Sequence, residues 1–86
     1  MAYHVVLRRS AARDLGDLTE PIRRRVTRAI GALASDPRPP GAALLTGRDR
    51  IWRLRVGDYR ILYLVDDDVV RVVVIRVRHR GKAYRS

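Results

Sequence analysis

Between residues 51 and 85, arginines recur at alternating positions among apolar residues. Arg53 and Arg55 share one parity, and Trp52, Leu54 and Val56 take the other. In an extended chain successive side chains point to opposite faces, so this spacing predicts a strand with a core face and a cationic face. Gly57-Asp58 supplies turn chemistry, and Tyr59 to Val65 reads as a second strand carrying Arg60. Asp66-Asp67-Asp68 interrupts it, and Val69 to Val77 reads as a third, apolar apart from Arg71 and Arg76. The chain closes on Arg78-His79-Arg80 and Tyr84-Arg85. Guanidinium groups gathered on a small sheet beside a tyrosine are suited to holding phosphate.

Composition sets the bounds. Eighty-six residues allow one domain, 1–86, with a modest core, and 47% hydrophobic content predicts a folded chain. Net charge is +10; of 19 basic residues all but Lys82 are arginine, so a polyanion, either nucleic acid or an acidic protein, is the expected partner. There is no cysteine to form a disulfide or a thiolate metal site, and His4 and His79 are too far apart in sequence to suggest a metal site by spacing. We therefore expect neither metal nor cofactor. Three consecutive aspartates between two strands predict a hairpin turn, since neighbours in an extended chain point apart. No apolar run approaches the ~20 residues a membrane span requires, and a cytoplasmic location is expected.

The elements that must position the arginines follow in chain order. Tyr3 to Leu7 is the first expected strand. Ser10 is the expected N-cap of a short helix ending near Gly16, and Thr19 or Glu20 that of a long helix with Pro21 in its first turn. Ile22, Val26, Ile30 and Leu33 form an apolar stripe, with Arg23, Arg24, Arg25 and Arg28 beside or opposite it. Three prolines between Asp36 and Gly41 stop the helix. The loop to Arg50 has room for a turn of helix at Ala43 to Leu45. The expected fold is α+β, in the order β-α-α-β-β-β: a two-helix hairpin packed on a small, mostly antiparallel sheet. Tyr59 and Tyr63 share parity with Ile61 and Val65 and are expected to pack. Trp52 is expected at the core or its edge, with base stacking as the alternative.

Leu44-Leu45-Thr46-Gly47, the run Trp52 to Tyr63 and the ending His79-Arg80-Gly81-Lys82-Ala83-Tyr84-Arg85 together resemble the RelE/ParE superfamily of toxins from type II toxin–antitoxin systems. The His-Arg-x-x-x-Tyr-Arg ending is similar to the RelE branch. That resemblance implies a RelE-like fold and a ribosome-dependent mRNA interferase, in which a ribose 2′-OH attacks the adjacent phosphate in the ribosomal A site. It implies that Arg60 stabilises the pentacoordinate phosphate, that Arg80 serves the leaving group or its developing charge, and that Tyr84 stacks on or orients the nucleotide. Arg53 and Arg55 complete the implied catalytic set and stand where well-studied family members carry lysine. Arg23, Arg24, Arg25, Arg78, Lys82 and Arg85 are candidates for RNA contact, although a solvated helix face accounts for the first three equally simply. The implied partners are the ribosome, its message and a cognate RelB-like antitoxin, in a toxin–antitoxin hetero-oligomer. Two alternatives stay open: a ParE-like toxin that inhibits DNA gyrase by contact, and a catalytically weakened toxin acting with its antitoxin as corepressor.

Overall fold

A computed structural model describes residues 2–45 and 50–79. The elements are β1 (His4–Leu7), α1 (Arg9–Gly16), α2 (Ile22–Ala32), β2 (Ala43–Leu44), β3 (Trp52–Val56), β4 (Tyr59–Asp66) and β5 (Arg71–His79). The strands form one sheet in the order β1-β5-β4-β3-β2. Every neighbouring pair is antiparallel except β1 and β5, which run parallel. Both helices cover one face, as expected.

Alternation decides what that face buries. Ile61 and Tyr63 of β4 and Val72, Val74 and Val77 of β5 are buried with Ala11, Leu18, Val26, Ile30 and Leu33. Trp52, Leu54, Val56, Tyr59 and Val65 pack against this cluster half-buried. The stripe expected on α2 is therefore its buried side, and Arg24, Arg25 and Arg28 are exposed. No described helix covers the opposite face.

Several local expectations need correction. The sheet has five strands, not four, because Ala43 and Leu44 pair with Arg53 and Trp52 in place of a turn of helix. Ser10 is not a cap: only Arg8 separates β1 from α1, so Ser10 already lies inside the helix. Its hydroxyl instead donates to the Ile75 carbonyl at 2.7 Å. That carbonyl belongs to a bulge. Leu62 pairs with Arg76 and Tyr63 with Val74, which leaves Ile75 without a partner on β4 and shifts the inward parity of β5 from Val74 to Val77. Neither Thr19 nor Glu20 caps α2 through its side chain; the cap position is Pro21, and the Glu20 carboxylate takes Arg23 and Arg24 at 3.3 and 3.0 Å. The third strand of the arginine-rich region begins at Arg71, not Val69. The acidic turn extends through Val70, which sits at φ 56°, and the Asp66 carboxylate accepts the N–H groups of Asp68 and Val69.

Two turns shape the sheet, of which the first was expected from sequence. Gly57 takes φ 59° at the first position of the two-residue β3–β4 turn, a conformation glycine adopts without steric cost. Pro39 to Ala42 closes through Ala42 N–H to the Pro39 carbonyl at 2.9 Å, with Pro40 and then Gly41 at φ 93°, the residues a type II turn prefers at those positions.

The proline segment is anchored from beneath by Tyr63, whose hydroxyl donates to the Pro37 carbonyl at 2.8 Å. Burial pushes the phenol up to about 12, against the opposing charge of Arg38. Tyr63→Phe leaves that carbonyl unsatisfied and is expected to cost about 1–2 kcal/mol in denaturant unfolding. The folded pKa is raised, so this contribution is fully present below the unfolded value near ~10 and is lost as pH rises through the folded one. Wild type and variant should accordingly converge in stability at high pH.

Candidate phosphate-binding face

The helix-free face is graded along the strands. At the end beside the Gly57-Asp58 turn, register places Arg55 opposite Arg60, and Arg60 opposite Arg78. One step inward, Arg53 faces Leu62, and Leu62 faces Arg76; further on, Leu64 faces Val73. At the far end Asp66 faces Arg71. The face thus passes from cationic, through apolar, to a balanced pair.

Arg53, Arg55 and Arg60 line a single cleft of about 170 Å³ together with Gly41. The three arginines are brought together by one hairpin, in which the strand period sends all of them to the same face. Arg53 and Arg60 are half-buried and Arg55 is exposed. The Arg55 Nε donates to the Gly57 carbonyl at 3.0 Å, which ties its guanidinium to the turn. Gly41 was not singled out from the sequence, although Pro40-Gly41 is a legible turn signal that carries the proline segment to the cleft rim. Such a cleft presents several fixed cationic donors to one anion, as phosphate coordination requires. None of its lining residues is a proton acceptor at neutral pH.

The remaining candidates are distributed differently. Arg23 and Arg24 lie on α2, across the sheet from the cleft, and both hold Glu20; Arg23 also donates to the Gly16 carbonyl at 3.4 Å. Arg25 lies over the β3–β4 turn, its guanidinium 3.4 Å from where a Cβ on Gly57 would stand, so positive charge continues round that end of the sheet. His79 pairs with Tyr59 on the helix side, where the two rings meet edge-on at 5.4 Å, and it is directed away from the arginine cleft. Arg80, Lys82, Tyr84 and Arg85 lie outside the described residues.

Two ion-pair systems, absent from the sequence reading, hold the frame. The carboxylate of Asp14 on α1 takes Arg76 Nε at 2.8 Å, Arg76 Nη2 at 3.1 Å and the Val77 N–H at 3.0 Å. This clamps α1 to the edge of β5 beyond the end of β1. At the other end of the sheet Arg38 holds Asp67 at 2.8 and 3.3 Å and lies 5.4 Å from the Trp52 ring centroid, while Tyr3 donates its hydroxyl to Asp67 at 2.7 Å. Arg38, then Tyr3, holds the Asp67 carboxyl below the usual carboxylate range. These groups border a larger cleft of about 610 Å³ lined by Leu44, Trp52, Leu64 and Asp66 to Asp68, whose mixed charge distinguishes it from the arginine cleft. Trp52 is a core-edge residue covered by a cation, in agreement with the packing expectation.

A helical hairpin on one face of a five-stranded sheet is a fold this chain shares with solved RelE toxins. The family model for the ParE toxins of type II toxin–antitoxin systems matches residues 5–84. The toxin RelG of Mycobacterium tuberculosis is 37% identical over 86 residues, which is 99% of each chain. Toxin RelE of the same organism is 36% identical over 84 residues, covering 96% of this chain and 87% of its own. Among solved structures, the toxin–antitoxin complex RelBE2 from M. tuberculosis matches with TM-score 0.78 and 35% identity over 93% of this chain and 100% of the other. The RelE–RelB complex of Pyrococcus horikoshii matches with TM-score 0.83 and 25% identity over 95% and 99%. The chain belongs to the RelE/ParE superfamily of type II toxin–antitoxin toxins.

Proposed function

We propose that this toxin is a ribosome-dependent endoribonuclease that cleaves message in the A site, in the cytoplasm, and is held inactive by a RelB-like antitoxin. The observation that carries the reading is the convergence of Arg53, Arg55 and Arg60 on one cleft of the uncovered sheet face. In the reaction the ribose 2′-oxygen bonds to the adjacent phosphorus as its proton passes to a base. The P–O5′ bond breaks, and the 5′-oxygen takes up a proton, leaving a 2′,3′-cyclic phosphate and a 5′-OH. Charge accumulates on the non-bridging oxygens, and preorganised guanidinium groups stabilise it. Alignment of the 2′-OH by the ribosome supplies the remainder. The RelE and RelG relatives favour this reading, and relatives solved in complex with RelB support a RelB-like antitoxin as the partner.

The expected result of adding the toxin to in vitro translation is new message 5′ ends at A-site codons by primer extension. Intact message in stalled ribosomes would overturn the proposal. The match to the ParE model favours a second reading, contact inhibition of DNA gyrase; chromosome breakage with intact message on induction would establish that one instead.

The cleft arginines stay protonated, so they act as charge and not as bases. If Arg53 and Arg55 only hold phosphate, Arg53→Lys retains activity. If proton abstraction limits the rate, Arg53→Lys or Arg55→Lys accelerates it and moves the pH–rate profile, because a lysine among arginines loses its proton more readily. A large fall in single-turnover cleavage for both, with ribosome binding unchanged, shows instead that the bidentate fork itself is required.

A further inference from the structure

We infer that Arg78 is a further phosphate contact, and that RNA crosses the sheet perpendicular to the strands along the row Arg55–Arg60–Arg78. This inference rests on the proposed function and gives the direction of the substrate path. The register carries it. Arg55 of β3 is the direct partner of Arg60 of β4, and Arg60 is the direct partner of Arg78 of β5, all on the helix-free face. Neighbouring strands lie about 4.8 Å apart, so the row is a ladder of cationic positions at regular intervals. Like charges directly opposite one another weaken a sheet. A polyanion laid along the row converts that repulsion into binding.

The chemistry around Arg78 sets the side from which an anion arrives. Beyond β5 a cleft of about 270 Å³ is bordered by Asp14, Asp17, Tyr59, Arg76, Arg78 and His79, where two carboxylates offset the two guanidinium groups and leave no net cationic site for phosphate. Asp14 is the carboxylate that feels Arg78, but Arg76 and the Val77 N–H already occupy both of its oxygens. The approach open to a phosphate chain is over the uncovered face, where the row begins at the Arg55 end. A single-stranded backbone lying along it would present successive phosphates to Arg55, Arg60 and Arg78, with the central one held by the most enclosed strand. The ligand class is single-stranded RNA with a phosphate on each side of the scissile one.

The test is equilibrium binding of the full chain to single-stranded RNA oligonucleotides as a function of salt, with cleavage measured in parallel. Each phosphate contact on a single strand contributes about −0.7 to the slope of log K against log salt. Arg78→Gln is expected to make the slope shallower by about that amount, and Arg78→Lys to restore it. Arg28→Gln, the same charge change on the exposed helix layer, is expected to leave the slope unaltered. In translation-coupled cleavage, Arg78→Gln should raise KM more than it lowers kcat, since the contact lies beside the reacting phosphate. An unchanged slope in Arg78→Gln, or an equal change in Arg28→Gln, overturns the row. RNA binding with the expected slopes but no cleavage by the unaltered chain would sink the endonuclease reading and leave the row standing.

Discussion

Arg60→Ala is expected to lower single-turnover cleavage of ribosome-bound message by more than ~10²-fold, a loss of at least ~2.7 kcal/mol of transition-state stabilisation. The size follows from position. β4 is paired on both sides and is the middle strand of the sheet, so the Arg60 backbone is held from each side, with Arg55 across one neighbour strand and Arg78 across the other. A cation held in place before the reaction stabilises developing charge without reorganising. Arg60→Lys keeps the charge but not the planar fork and should recover only part of the rate. The side chain belongs to the helix-free face and takes no part in the buried cluster, so the melting temperature should change little. Full cleavage by Arg60→Ala at equal soluble concentration would remove this residue from the site.

Asp14→Asn is expected to cost about 2 kcal/mol of stability, roughly 10 °C in Tm for a domain of this size. Asparagine preserves shape but replaces one acceptor oxygen with a donor, so even with its oxygen kept toward Arg76 Nε and the Val77 N–H its amide N–H groups face Arg76 Nη2. The Asp14 side chain is 15% exposed and that of Arg76 38% exposed, so solvent screens the pair in part and the loss falls below that of a fully buried ion pair. The pH dependence has a definite sign. Burial works against the Asp14 anion, but the Arg76 hydrogen bond, the Val77 N–H and the charges of Arg76 and Arg78 outweigh it and hold the carboxyl below its usual range. A depressed folded pKa means that the contribution is present above the unfolded value near ~3.9 and is lost as pH falls through the folded one. Chemical denaturation across the acid range should show wild type converging on Asp14→Asn. Parallel curves down to the lowest pH at which the chain stays folded would show that the clamp does not depend on charge.

Within this frame the arginine cleft was legible because it is local. Arg53, Arg55 and Arg60 belong to one hairpin, and a period of two with a two-residue turn is enough to put them on one face. Tyr63 and the α2 stripe were legible for the same reason, since each follows from a short-range repeat. The caps failed because a cap depends on where the preceding element ends. Ser10 satisfies the local rule for an N-cap, but β1 runs into α1 a residue too early and the hydroxyl is claimed by Ile75.

The sequence by itself determined the layer order, the turn at Gly57-Asp58, the end of α2 before the prolines, which parity of each hairpin strand is cationic, and the family. Tertiary structure alone decided the rest. Ile75 becomes a bulge, Arg78 aligns with Arg60, Asp14 claims Arg76 and Arg38 claims Asp67, in pairings 62 and 29 residues apart for the last two. Short-range periodicity assigns a residue to a face but carries no information about its partner across a strand boundary. That partner depends on register, and a single unpaired residue in β5 shifts it for everything that follows.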